Sequence, residues 1–333
     1  MTRRKTTTPK VKNVEEKFRQ LTRKGKKTLD GDFIPFPIES HVQGITWFSG
    51  SAGDGYIVTH NDQGASNGFM IVCAPDGQKI GRFAIEKEDY NHPGGLQSLG
   101  DYVAIAVENS DYSSSFVVFY DLTPLSTGGP PKMLDLLISR PSGTGCVGFV
   151  DMATPENKKV FYVLAHSNGA NQLYRSDEVE PDQGPESIGH LTKVGGVFGT
   201  SKFQGLSLVV GENGQLYVIG FHSTSKGLSY ADWADLYRID PTLGIGLIAG
   251  RLELTLEGGS DGVDDWEDVH CRWGAGLFVS SPDKISLDVT ARNYDMDGKL
   301  NINWVDNLPS MMISPPPVER PGIAPERGRP APY

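Results

Sequence analysis

Short apolar runs, four to eight residues long, alternate with clusters of Gly, Asn, Asp and Pro through the middle of the chain. Runs of that length bounded by turn residues read as β-strands, and no long helical period interrupts them. The strongest runs are 55–60, 102–109, 160–167, 216–223 and 276–282. A small or polar segment leads into each of them, often through a glycine. A third strand follows each, and a weaker fourth closes the unit. The anchors Gly44, Gly95, Gly148, Gly205 and Asp268 lie 51, 53, 57 and 63 residues apart.

Four strands at that period form the pattern of a β-propeller blade. Five such units fill residues 38–308. On this blade pattern the chain resembles five-bladed β-propellers, a group that includes glycoside hydrolases, calcium-dependent nucleotidases and sugar-binding lectins. No family-defining catalytic motif accompanies the pattern, so the resemblance implies a fold and transfers no residue. The expected architecture is all-β: a five-bladed propeller of four-stranded antiparallel blades over 32–308, with blades near 38–89, 90–142, 143–199, 200–259 and 260–308. The segment Asp32–Ile38 is expected to add an outer strand to the last blade, closing the ring and removing exposed sheet edges. A flexible basic leader over 1–31, with one short amphipathic helix in Val14–Lys24, and a proline-rich tail over 309–333 are expected to flank it.

Composition agrees with an all-β reading, since 40 Gly and 22 Pro in 333 residues are more than a helical bundle tolerates. The net charge of -10 is unevenly spread. Residues 1–30 hold eleven Lys/Arg against Glu15, Glu16 and Asp30, a balance of +8, which leaves -18 for the rest. An acidic body repels phosphates, so nucleic acid is not expected at the propeller; the basic leader suits an anionic partner. Cys73, Cys146 and Cys271 are too few and too scattered for a disulfide framework or a metal knuckle. No apolar stretch is long enough for a membrane helix, and no apolar run follows the basic start as in a secretory signal. A cytoplasmic location is therefore the default expectation, and a secreted one if a signal had been removed.

Antiparallel geometry places the start of each first strand and the end of each second strand on one rim. The second-strand ends are expected at His60, Glu108, His166, His222 and Ser281. The first-strand starts include His41, Gln43, His92, Gln97, Cys146, Gln204, Glu267, Asp268 and His270. Six of the seven histidines map to this rim, with His190 outside. Strand-end polar residues with purely local roles have no reason to choose one face, whereas a ligand site does. The five rim sets differ from blade to blade, which favours one composite pocket over five equal ones.

Asp268 and His270 alternate on one strand and are expected to point together, so that a carboxylate orients an imidazole for acid–base work. Glu267, Asp268 and His270 are the expected catalytic groups. His41, Gln43, His60, His92, Gln97, Glu108, His166, Gln204 and His222 are the expected ligand contacts. For a metal, the oxygen-rich candidates are Asp264, Asp265 and Asp268, suited to calcium or magnesium; the nitrogen-rich set is His41, His92 and His270, suited to a transition metal. The run Asn293–Gly298 resembles the opening of a calcium loop, but Trp304 stands where that loop needs a glutamate. A hairpin turn on Asp297–Gly298 explains it better. The expected function is hydrolysis, elimination or isomerisation of a small polar molecule or sugar, with a divalent cation as an optional participant. A carbohydrate-binding or protein-interaction propeller without catalysis is the alternative.

Overall fold

A computed structural model describes residues 8–32, 41–62, 64–226, 229–256, 268–294 and 299–307. Strand β1 (Lys10–Val11), helix α1 (Val14–Arg19) and strand β2 (Lys26–Asp32) precede the blades. Blade one is β3 (Val42–Gly50), β4 (Gly53–His60), β5 (Phe69–Cys73) and β6 (Lys79–Ala84). Blade two is β7 (His92–Leu99), β8 (Tyr102–Glu108), β9 (Ser115–Asp121) and β10 (Lys132–Arg140). Blade three is β11 (Cys146–Ala153), β12 (Lys159–Ser167), β13 (Ala170–Ser176) and β14 (Leu191–Gly199). Blade four is β15 (Gly205–Gly211), β16 (Leu216–Lys226), β17 (Ser229–Asp240) and β18 (Ile245–Leu254). Blade five is β19 (Val269–Ser281), β20 (Lys284–Tyr294) and β21 (Lys299–Asp306), with β2 as its outer strand. The inner strands β3, β7, β11, β15 and β19 touch in succession, and β19 returns to β3, so the ring is closed. The protein is a five-bladed β-propeller.

The core lies between blades. In β8, Val103, Ile105 and Val107 pack toward blade one, while Ala104 and Ala106 pack toward blade three. In β12, Phe161, Val163 and Ala165 face blade two, and Val160, Tyr162 and Leu164 face blade four. Both faces of a middle blade are thus dry, which explains why the second strands are so nearly continuous in apolar residues. Near the axis the inner strands approach too closely for side chains. A Cβ on Gly94 would lie 2.0 Å from the Gly145 carbonyl oxygen, and one on Gly205 would lie 2.3 Å from that of Ala275.

Gln97 then ties three blades together at the axis. Its Nε2 donates to the Leu208 carbonyl at 2.9 Å, and its Oε1 accepts from the Phe149 and Leu208 amides at 2.8 Å each. Inner strands cannot pair with each other as a sheet, so a buried side-chain amide does the joining.

Two expectations change. Ring closure is as foreseen in kind, but the outer strand is Lys26–Asp32 and not Asp32–Ile38, whose residues beyond Asp32 lie outside the described ones. Residues 8–31 also differ from a flexible leader. Strand β1 pairs in parallel with β15, Lys12 donates its amide to Pro282 at 2.7 Å, and Thr22 donates its amide to Asp306 at 2.7 Å. Val14 and Phe18, four residues apart on α1, are buried with Val11 and Leu21 against blades four and five. A helix of six residues gains its stability from that packing. Residues 1–7 and 308–333 lie outside the described residues, and so does the tail expectation. The expected hairpin is flanked as foreseen by β20 and β21, paired at Tyr294 and Leu300; Asp297 and Gly298 themselves are not described.

Candidate functional site

Where the inner strands begin, three of them depart from regular pairing. Gln43 is an extra residue between the pairs Val42–His60 and Gly44–Thr59. In β7 the register shifts between Pro93 and Leu96. In β19 the four residues His270 to Trp273 have no opposite number between the pairs Val269–Ala291 and Gly274–Thr290. Strands β11 and β15 pair with their second strands without such a shift. Bulges re-aim side chains at barrel rims, and here they make one side of the mouth chemically richer than the other.

A connected row of rings and charges results. The Tyr112 and His92 rings are 5.1 Å apart, His92 and His41 5.9 Å, and His41 and Trp273 5.8 Å. Gln43 Nε2 donates to His41 Nε2 at 2.5 Å. The Arg272 guanidinium lies 4.1 Å from the Trp273 ring centre and 4.4 Å from that of Tyr230. Arg292 lies 5.0 Å from Trp273. Tyr230 in turn is 5.2 Å from the His270 ring. Tyr230 arrives because the hairpin of β16 and β17 runs on past the blade, pairing as far as Lys226 and Ser229.

His270 Nδ1 lies 2.8 Å from Asp232 Oδ2. Asp232 is itself fixed, accepting from the Ser223 hydroxyl at 2.6 Å and the Cys271 amide at 2.7 Å. Both side chains are buried, at 4% and 6% exposure. His270 Nε2 has no hydrogen-bond partner among the described residues. The pair lines a cavity of about 340 Å³ with Lys226, Tyr230, Glu253 and Thr255.

Glu108 occupies the far end of the row, opposite His92 in the β7–β8 ladder. Burial pushes its carboxyl up to about 7, against the Thr144 amide and Arg140, which pull it down. Burial likewise lowers His92 to about 4, so its ring is neutral at physiological pH. The folded-state value of Glu108 exceeds that of an ordinary carboxyl. Its contribution to stability is therefore fully present below about pH 4.5 and lost as pH rises to about 7. Glu108→Gln should match the wild type at pH 4 and exceed it at pH 8 by on the order of 3 kcal/mol in urea unfolding. A difference that does not vary with pH would refute the assignment.

Other expected contacts have different duties. His60 Nδ1 meets the Asn61 carbonyl at 2.7 Å, and its Nε2 accepts from Arg82 at 3.2 Å. His166 Nε2 accepts the Phe203 amide at 2.9 Å, and Nδ1 meets Asn171 at 3.0 Å. His222 Nε2 meets Asp235, which also pairs with Arg251. These three imidazoles fasten strand ends, and Gln97 is the axial tie, so none of the four presents a free group to a ligand. Gln204 is exposed, its amide bonded to Phe221. Ser281 ends an inner strand and so belongs to the opposite rim. His190 is exposed beside Asp177, away from the row.

Glu267, Asp264 and Asp265 lie outside the described residues. Asp268 is buried, but the hydrogen-bonded partner of His270 is Asp232. His41 and His92 do come together, whereas His270 is engaged elsewhere. Among the described residues no three His, Cys, Asp or Glu side chains form a group able to hold a metal. The three cysteines are buried thiols that form no disulfide. Among the described residues no helix is long and apolar enough to cross a membrane. Sequence reasoning missed Tyr230, Asp232, Arg272, Trp273 and Arg292. Arg272 and Trp273 carried only a weak signal, standing two and three residues after His270 in the same polar run.

No protein-family model matches the sequence, and no curated protein does. Solved structures superpose on the chain at low score. An α-L-arabinofuranosidase from Fusarium graminearum superposes with a TM-score of 0.45 at 10% identity, over 85% of this chain and 98% of that one. The catalytic domain of an α-L-arabinofuranosidase from Coprinopsis cinerea gives 0.46 at 8% identity, over 85% and 97%. An exo-β-1,3-galactanase from Phanerochaete chrysosporium gives 0.46 at 11% identity, over 84% of this chain and 64% of that one. No residue role is carried across from any of them.

Proposed function

We propose that the chain is an enzyme that performs acid–base chemistry on a small hydroxylated molecule, a sugar in the first instance, at the mouth around Trp273 and His270. The observation that carries the reading is the buried Asp232–His270 pair beside a cavity. A carboxylate accepting from Nδ1–H fixes the imidazole as the tautomer whose Nε2 holds the lone pair. A general base needs that arrangement, whereas simple sugar binding does not. His270 takes a proton from a hydroxyl, from water or from carbon next to a carbonyl, which covers hydrolysis, isomerisation and elimination. Asp232 positions the ring and stabilises the imidazolium. Tyr230, Lys226 and Glu253 supply the other proton-carrying groups of the cavity.

The sugar-cleaving propellers named above are neighbours in chain path only, but they suggest the first substrates to try. A panel of 4-nitrophenyl glycosides, including the α-L-arabinofuranoside and the β-D-galactoside, would be assayed from pH 5 to 9. His270→Ala should lower kcat/KM at least about a hundredfold with little change in Tm. Asp232→Asn should do the same while altering the pH profile, because the amide favours the wrong tautomer. A wild type that turns over none of the panel would sink the proposal, as would variants that keep full activity.

A further inference from the structure

We infer that the molecule taken at this mouth is anionic, a sugar bearing a carboxylate or a phosphate held by Arg272 beside Trp273. The inference rests on the sugar reading above and names the class of ligand.

The arginines are the first ground. Arg82, Arg175, Arg238 and Arg251 each have a carboxylate partner. Arg272 has none among the described residues and instead lies between two aromatic rings, 4.4 Å from Tyr230 and 4.1 Å from Trp273. Aromatic faces hold a guanidinium in place while leaving its N–H fork unspent. Arg292 is 5.0 Å from the same Trp273 centre, so the two guanidinium carbons are no more than 9.1 Å apart. The hold on an anion rests on Arg272, whose fork is unspent; Arg292 bears on the same indole and steadies it.

The second ground is the way Arg272 arrives. It comes in on the four-residue excursion of β19, a distortion that the regular inner strands of blades three and four do without. The third is the Trp273 indole N–H, which is buried and has no acceptor among the described residues. A buried donor without a partner is costly, and an acceptor-rich ligand offsets that cost. The neighbouring groups His41, Gln43 and the neutral His92 suit hydroxyls.

The test is calorimetric titration of the full chain with D-glucuronate, glucose 6-phosphate and D-glucose at low and at raised salt. One or both anions should bind at least about tenfold more tightly than glucose, with affinity falling as salt rises. Arg272→Gln should weaken the anion at least about tenfold and leave glucose nearly unchanged. Arg272→Lys serves as the second variant if Arg272→Gln does not fold, and should weaken the anion less than the glutamine because it keeps the charge but loses the fork. Glucuronate binding alone assigns a carboxylate, and glucose 6-phosphate binding alone assigns a phosphate. Glucose binding as tightly as the anions, no binding of either anion, or arginine variants that keep full affinity would overturn the inference. His270→Ala separates the two readings, since it should abolish turnover while changing anion affinity less than Arg272→Gln does. If the anions fail while His270→Ala still abolishes turnover of a neutral glycoside, the acid–base reading stands alone.

Discussion

Asp288→Asn should make the propeller more stable at pH 8.5 than the wild type, by about 5 kcal/mol, and nearly equal to it at pH 4. Asp288 is fully buried, and neither carboxyl oxygen has a hydrogen-bond partner among the described residues. It stands on β20, close enough to Tyr56 of blade one for its charge to raise that phenol further. Burial alone pushes its carboxyl up to about 8, far above an ordinary aspartate. The native state therefore keeps a proton that the unfolded chain gives up near pH 3.8. Stability is whole below that value, falls by roughly 1.4 kcal/mol for each unit of pH above it, and levels out beyond about pH 8. Asparagine fills the same space and does not ionise. Urea unfolding of both proteins at pH 4, 6, 7 and 8.5 would show the gap opening with pH. A gap that stays constant would mean that Asp288 has an ionised partner in solution.

Gln97→Met should lower the melting temperature by about 6 to 10 °C, the equivalent of about 3 to 5 kcal/mol. Methionine keeps the volume but removes one donor and one acceptor that serves two amides. The Phe149 and Leu208 N–H groups are then buried without partners. Because these strands belong to blades three and four, the loss should appear in a single cooperative transition. A melting temperature within about 2 °C of wild type, together with weakened ligand binding, would return Gln97 to the role of a ligand contact expected from its place near the rim.

Period and strand count were legible in the sequence because blades repeat the same local problem, a strand pair whose faces are covered by the next blade. Blade five was misread for a physical reason. The excursion at His270–Trp273 splits one long strand into two apolar halves, so β19 resembles two strands and everything after it shifts by one. That shift placed Ser281 on the wrong rim. Its outer strand, Lys26–Asp32, is polar and lies far off in sequence, where a basic composition suggests solvent. The rim histidines were located correctly at His60, His166 and His222, but an imidazole that bonds a neighbouring strand and one that meets a ligand have the same letter. Asp232 was invisible because its tie to His270 spans 38 residues and two blades. Among the described residues nothing gives Asp288 a partner, so no sequence pattern could have flagged it.

The pairing of β2 with β21 joins a strand near the start of the described chain to the last described strand. During synthesis Lys26–Asp32 leaves the ribosome before any blade exists, and its partner emerges some 270 residues later. Blades one to four can form their sheets in turn, but the circle has no clasp until Asp306 is out. Up to that moment β2 and the open face of blade one are unpartnered.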